Sequence, residues 1–476
     1  MEEKQYKQYK DTKNAAAPSR GRFVNTGNGP TFQVIDIGHS EYAAVIDPDT
    51  AFWSLARRDK LADVLSGSDL AGAYAQKTSQ FAGEMNTLRF GLKPSAVYFN
   101  PTERCNMNCT YCYIPEKMRR DGEHMSTEKL LKTLDILKRY FRTTLPDGST
   151  PQIIFHGAEP LLNRDAIFAG IDEYGKDFLF GVQTNATLLD DAAVDFLTSR
   201  DVSIGISLDA PTADVADRTR KKWDGQGTFE QVLAAMRRLK SYESWSVICT
   251  VTNANLRHLT GLVDFFHEQE VPMCLMNILR CTLEPSRSLK PDDAEAAEHF
   301  IAALDRTYEL YQQTGRRLPV GNFANILLAI IAPAARRLMC DISPCGGGRC
   351  FFALASNGDM FPCSEFIGLD RFRAGNLFTD DISTALETEP FRLVTGRKVE
   401  DIEPCRRCAI RHFCGSPCPA EAYEINGGMN NTGAFCEFYE EQVRYAFRVI
   451  ADGKADVYLW DGWDKDMKES FNIDGS

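Results

Sequence analysis

At 476 residues the chain is too long for one ordinary domain, and its 43% apolar and 25% charged residues are globular values. A net charge of −12 argues against the nucleic-acid phosphate backbone as the main partner. The polar first residues, MEEKQYKQYKDTKNAAAPSRGR, lack the apolar core of a signal peptide, and no run of ~20 apolar residues is present, so a cytoplasmic protein without membrane contact is expected.

Residues 1–30 read as a flexible tail. Residues 31–90 hold two short apolar runs split by His39, Ser40 and Glu41, then a helix-like segment. They predict a small α+β unit that either caps the rest or grips a substrate leader peptide by strand addition. From 91 to 290 short β-rich runs at 96–100, 152–157, 178–184, 202–208, 246–252 and 273–279 alternate with helical periodicity, as at 126–141 and 228–242. Such alternation means a parallel sheet with right-handed crossovers, and six units predict a partial (β/α)6 barrel of the α/β class. Chemistry in such folds collects at the C-terminal strand ends. Residues 291–339 read as a helical linker, and 340–440 as a Cys-, Gly- and Pro-rich domain organised around metal. Residues 441–476 read as a helix and an acidic, aromatic tail that serves as a lid, a docking strip or plain surface.

Fifteen cysteines are out of keeping with a compartment that keeps thiols reduced, and nine of them lie between Cys340 and Cys436. The odd total speaks against a disulfide framework and for metal or cluster ligation. Just past the first strand, RCNMNCTYCY (104–113) sets Cys105, Cys109 and Cys112 on a C-x3-C-x2-C spacing. Three thiolates leave one iron of a 4Fe–4S cluster open to chelation by a substrate or cofactor. Structural zinc wants four protein ligands. Tyr111, between the last two cysteines, would pack near whatever the open iron holds.

This stretch resembles the signature of the radical S-adenosylmethionine (SAM) superfamily, C-x3-C-x-aromatic-C, and three later strand ends resemble that family in order. FHGAEP (155–160) is similar to its Gly-Gly-Glu-Pro motif, with Ala158 in place of the second glycine. The resemblance implies that Gly157 and Ala158 offer backbone groups, and Glu159 a carboxylate, to the methionine amino group. QTNATLLD (183–190) resembles the Thr-Asn-Gly-Thr stretch, with Asn185 kept and Ala186 replacing glycine. GISLDA (205–210) is similar to the Ser-Leu-Asp segment, where Ser207 would reach the ribose or carboxylate. By position Arg220 would pair with the methionine carboxylate, a contact suited to a guanidinium. The implied chemistry is reductive cleavage of SAM to a 5′-deoxyadenosyl radical that abstracts hydrogen, supplied by the cofactor and housed by the protein.

PCGGGRCFFALASNGDMFPC (344–363) and CRRCAIRHFCGSPC (405–418), followed by Cys436, resemble the SPASM extension of radical SAM peptide maturases. The resemblance implies two auxiliary 4Fe–4S clusters, making three in all. Cys345, Cys350, Cys363 and Cys418 would hold one, with Cys340 competing with Cys350. Cys405, Cys408, Cys414 and Cys436 would hold the other. Zinc ribbons are the alternative. Cys249 and Cys274 read as buried apolar fillers, with Cys281 near the barrel mouth. His156 either lines the pocket or is a satisfied structural residue; His124 reads as a surface residue and His412 as packing among the second ligand set.

Enzymes of this type mostly modify ribosomally made peptides. The sulfatase-maturing branch carries a basic aspartate right after the third cysteine of the first auxiliary set. Here Ser364 and then Glu365 follow Cys363, so Glu365 is the candidate base and formylglycine formation is disfavoured. Chain length, the N-terminal unit and FNPTERCNMNCTYCYIPEKM most resemble the maturases of quinohemoprotein amine dehydrogenase, which install Cys-to-Asp and Cys-to-Glu thioether links in a small Cys-rich subunit. The expectation is therefore a radical SAM oxidoreductase forming thioethers in such a substrate, served by a reductant such as flavodoxin or ferredoxin. A carbon–carbon-linking or formylglycine-forming maturase is the alternative, and a multi-cluster electron carrier without SAM chemistry is the rival from another class.

Overall fold

The computed structural model describes residues 22–25 and 31–464. β1 (Arg22–Asn25), β2 (Thr31–Ile35), β3 (Tyr42–Ile46) and β4 (Trp53–Arg57) form an antiparallel sheet in chain order. The rest of the expected tail, and residues 465–476, lie outside the described residues; 22–25 are a strand. With the helix Ser68–Asn86 this sheet encloses its own small core of Phe32, Val45, Phe52, Ala56 and Leu70. The unit is tied to the rest through Trp53, whose indole Nε1 donates to the Ile330 carbonyl at 2.7 Å and whose ring meets Phe447 edge-on.

The expected barrel is present. β5 (Ala96–Phe99), β6 (Gln152–Phe155), β7 (Leu179–Thr184), β8 (Ser203–Ser207), β9 (Trp245–Val251) and β10 (Cys274–Ile278) pair in parallel, in chain order. QIIF of β6 is wholly buried, as in a strand covered on both faces, whereas β8 and β9 alternate buried and half-buried positions. The crossover helix Thr127–Thr144 starts where Ser126 Oγ accepts the Lys129 amide, and it buries Leu130, Leu134, Leu137 and Phe141 at helical spacing.

Two features were not legible in the sequence. The Cys-rich region joins the barrel sheet: β11 (Phe351–Leu354) runs parallel to β5, and β12 (Asp359–Phe361) and β13 (Gly375–Asn376) extend it antiparallel, giving nine strands. At the opposite edge, Asn322 donates to the Met276 carbonyl and accepts from the Met276 amide, both at 3.0 Å, and the Cys274 amide donates to the Pro319 carbonyl. A side-chain amide and a short extended segment thus cover the free edge of β10. The expected linker consists of two helices, Asp293–Thr314 and Gly321–Ile331, packed against the C-terminal helix Cys436–Ala451. The start of the expected tail is also structural, because Tyr458 and Leu459 are buried against these helices. No helix among the described residues is long and apolar enough to cross a membrane.

Phe99, Phe155 and Phe180, one from each of β5, β6 and β7, pack between the sheet and its crossover helices, with Phe155–Phe180 centroids 5.6 Å apart and Phe178 leading on to Phe141 of the helix Thr127–Thr144. Phe155→Ala leaves an unfilled cavity there and is expected to cost about 3–5 kcal/mol, read as a lowered denaturation midpoint in urea.

Candidate functional site

The loop after β5 carries Cys105, Cys109 and Cys112, and it is stitched down along its length. The Asn108 and Thr110 amides donate to the Lys221 and Thr219 carbonyls, and Trp223 Nε1 donates to the Cys105 carbonyl at 2.8 Å. Buried Arg119 gathers the same loop, donating to the Ile114 and Met107 carbonyls and to Asn108 Oδ1 at 2.9–3.3 Å, with its guanidinium over the Trp223 ring. Burial raises all three thiols, Cys109 to about 11; Arg220 opposes this at Cys109 and Arg119 opposes it at Cys112. Among the described residues no three Cys, His, Asp or Glu side chains gather closely enough to hold a single metal ion. A 4Fe–4S cluster makes a different demand, since each thiolate binds its own iron.

The other motif residues lie around this loop at the strand ends. Gly157 has φ +107°, and a Cβ there would fall 2.4 Å from Asn100 Cγ, so only glycine fits. Ala158 follows it, partly open. Glu159 has no exposed surface: Oε1 accepts from Thr184 Oγ1 and the Leu161 amide, and Oε2 from the Asn185 amide at 2.8 Å. It thereby ties the end of β6 to that of β7, and burial raises its pKa. Asn185 Nδ2 donates to Asn106 Oδ1 and lies 3.8 Å from Cys105 Sγ. Ala186 sits at φ +66°, a left-handed backbone that costs a non-glycine residue about 1–2 kcal/mol. Ser207 Oγ donates to the Thr184 carbonyl at 3.4 Å.

Tyr111 links two charged groups that sequence spacing left unconnected. Its hydroxyl donates to Asp209 Oδ2 at 2.5 Å and accepts from Arg220 Nη1 at 2.7 Å. Asp209, which also accepts the Thr250 amide, was not singled out, although it stands within the quoted GISLDA segment. Arg220 Nε is buried and has no hydrogen-bond partner. An unmet guanidinium N–H beside the three thiols suits a ligand carboxylate.

The C-terminal cysteines form two groups. Cys405, Cys408, Cys414 and Cys436 lie within one another's electrostatic reach. In the other group Cys340 lies near Cys345 and Cys418, and Cys363 near Cys345 and Cys340. Cys350 sits at the foot of β11, where its carbonyl accepts the Ser95 amide, and its buried thiol has only Cys345 close by. The structure therefore brings Cys340, rather than Cys350, to the other three. Buried Arg397 stands beside thiols of both groups, and it is held by the Met429, Ser416 and Asn431 carbonyls and Ser416 Oγ.

Glu365 lies near Cys112 and Cys363, with Tyr113 near all three. Burial pushes its carboxyl up to about 7, against the pull of Arg280, whose Nε is 3.9 Å from Oε1. Tyr98 packs on Phe351 and His156 and faces Cys340 and Cys363. No motif marks Tyr98, Tyr113 or Arg280. Buried Cys281 donates its amide to Glu421 Oε1. His124 is exposed beside the cluster loop, and His412 is buried with both ring nitrogens unpartnered.

His156 Nδ1 also lacks a partner, and burial lowers this histidine from its ordinary 6.5 to about 4. The unfolded chain takes up that proton first, so the contribution of neutral His156 is full above 6.5 and is lost as pH falls toward 4. From pH 7 to pH 5 the loss is about 2 kcal/mol, and His156→Gln is expected to remove that part of the acid sensitivity in paired urea melts.

The radical SAM superfamily matches residues 99–266, and the SPASM iron–sulfur cluster-binding domain matches residues 345–409. An uncharacterized protein of Archaeoglobus fulgidus is 40% identical over 406 residues, 85% of this chain and 92% of its own length. The cysteine-type anaerobic sulfatase-maturating enzyme of Clostridium perfringens is 24% identical over 378 residues, 75% of this chain and 97% of its own. Among solved structures, anSMEcpe with bound AdoMet aligns with a TM-score of 0.66 at 20% identity, over 79% of this chain and 98% of that one. Streptococcus suis SuiB bound to precursor peptide SuiA aligns with a TM-score of 0.55 at 12% identity, over 83% and 97%. The chain belongs to the radical SAM superfamily, with a SPASM iron–sulfur cluster-binding domain built onto the edge of its partial barrel.

Proposed function

We propose that this protein is a peptide maturase that forms intrapeptide thioether links, from Cys to Asp or Glu, in a small Cys-rich subunit such as that of quinohemoprotein amine dehydrogenase. Peptide modification is supported by relatives named as sulfatase-maturating enzymes and by the peptides bound to anSMEcpe and SuiB. The observation that carries the thioether reading is Glu365. It stands near Cys112 and Cys363, while the preceding position, where the sulfatase-maturing branch has its basic aspartate, is Ser364.

In this reading Cys105, Cys109 and Cys112 hold the cluster that SAM chelates. Arg220 meets the methionine carboxylate through its free Nε, Gly157 and Ala158 offer backbone groups to the amino end, and Ser207 and Asn185 line the cofactor. Glu159 acts chiefly by fixing the Asn185 backbone. Cys340, Cys345, Cys363 and Cys418 hold one auxiliary cluster, and Cys405, Cys408, Cys414 and Cys436 the other. When bound, cluster and SAM supply the hydrogen-abstracting radical. Glu365 accepts the proton of the substrate thiol at Oε2, which has no partner of its own. Arg119 and Trp223 keep the cluster loop in place.

A second reading, formylglycine formation, is favoured by the sulfatase-maturating relatives. Intact mass of the Cys-rich subunit, incubated anaerobically with enzyme, SAM and reductant and then alkylated, separates the two. Thioether formation is expected to remove about two mass units per link and to protect a matching number of thiols, since the oxidation takes two hydrogens. An aldehyde captured by a hydrazide reagent points to formylglycine instead. An unchanged subunit, with SAM cleaved, overturns this choice of substrate. The ligand assignment is checked by iron content: Cys340→Ala and Cys363→Ala are each expected to lose about four irons per chain, and Cys350→Ala none.

A further inference from the structure

Arg280 follows β10, the last strand of the barrel, and faces Glu365 across the join with the Cys-rich domain. The 3.9 Å between Nε and Oε1 is too long for a hydrogen bond. Each group also keeps a buried atom unpartnered, Nη1 on the guanidinium and Oε2 on the carboxylate. The other acid near Arg280, Glu421, is committed elsewhere: its oxygens accept the Cys281 and Ala434 amides at 3.0 and 3.2 Å. Protein surrounds Arg280 and Glu365, yet 23% and 19% of their side-chain surface stays open. Cys112 and Cys363 stand beside Glu365, and Cys418 beside both groups.

The Tyr439 hydroxyl and the Cys418 thiol also stand beside the guanidinium, but Nη1 keeps no acceptor, and a planar guanidinium is best completed by a carboxylate. Arg220 is assigned to the methionine carboxylate in the same reading, and its Nη1 already donates to Tyr111. We propose that Arg280 binds the carboxylate of the substrate residue whose neighbouring methylene carbon is linked, so that an acidic side chain selects the position of reaction. The inference rests on the thioether reading and deepens it. It gives a physical reason for links at Asp and Glu: the carboxylate is drawn to Arg280, while Glu365, itself an acid, disfavours any second anion that lacks this cation.

The test uses reconstituted enzyme as wild type, Arg280→Gln and Arg280→Lys, with a segment of the Cys-rich subunit carrying one Cys and its Asp, and the same segment with that Asp replaced by Asn. Binding is read by fluorescence anisotropy without reductant, and linking by mass with it. Wild type is expected to bind the Asp segment about tenfold more tightly than the Asn segment, the scale for one buried charge pair. Arg280→Gln is expected to bind both alike, at the level wild type shows for Asn. Arg280→Lys recovers part of the preference, since a point charge remains without the fork. Iron content equal to wild type certifies each variant, and should the Gln form lose iron, the Lys form carries the comparison. Discrimination that persists in the variants, or equal weakening of both segments, overturns the inference while leaving the thioether reading intact. Wild type that cleaves SAM and links neither segment overturns the thioether reading and this inference with it.

Discussion

The register between β5 and β11, from Ala96 with Phe351 to Phe99 with Leu354, sets the distance between the two halves of this protein's chemistry. β5 runs directly into the loop of Cys105, Cys109 and Cys112. β11 turns through β12 into Cys363 and Glu365. Because the two strands share one sheet, the interval between the SAM-binding region and the first group of C-terminal thiols is a matter of backbone hydrogen bonds rather than of a flexible linker. Tyr98 on β5 packs directly on Phe351 of β11 and faces Cys340 and Cys363. A slip of one residue would turn Tyr98 away from these thiols, since successive side chains of a strand point to opposite faces.

Much of the barrel was legible because its strands are short β-rich runs set between stretches of helical periodicity, as in QIIF, wholly buried, and VSIGISL, whose buried isoleucines alternate with small residues. The strand-end motifs were legible for another reason: each puts small or polar residues where an apolar run stops. The pairing of β11 with β5 and the cover of β10 by Asn322 were not, because they join segments far apart in the chain, and neither strand pattern nor helix periodicity carries that information. The choice between Cys340 and Cys350 was degenerate in sequence. Each stands five residues from Cys345, and only the fold sets Cys340, and not Cys350, near Cys418 and Cys363. Arg280, Tyr98, Tyr113 and Asp209 gain meaning from neighbours supplied by other elements. The acidic aromatic tail misled in part, since Tyr458 and Leu459 complete a helical core instead of hanging free.

A chain with a net charge of −12 still places buried guanidiniums wherever thiols collect. Arg119 and Arg220 stand by the first set, and Arg280 and Arg397 by the C-terminal groups. Cysteine ligands are anionic, and burying several without positive partners would be prohibitive. Arg119, Arg220 and Arg397 are anchored through backbone carbonyls or a phenol hydroxyl, so their positions do not depend on the thiolate charge alone.

Arg397 has a consequence for how the C-terminal domain is assembled. Its guanidinium adjoins Cys345 and Cys418 from one group and Cys405 and Cys414 from the other, so both groups share a single counter-charge. Filling one group lowers the cost of keeping that cation buried and so favours the structure that the second group requires; emptying one leaves the cation under-compensated for both. Maturation of the domain should accordingly be cooperative. Under iron scarcity the population would divide into fully loaded and unloaded molecules, with few halfway between.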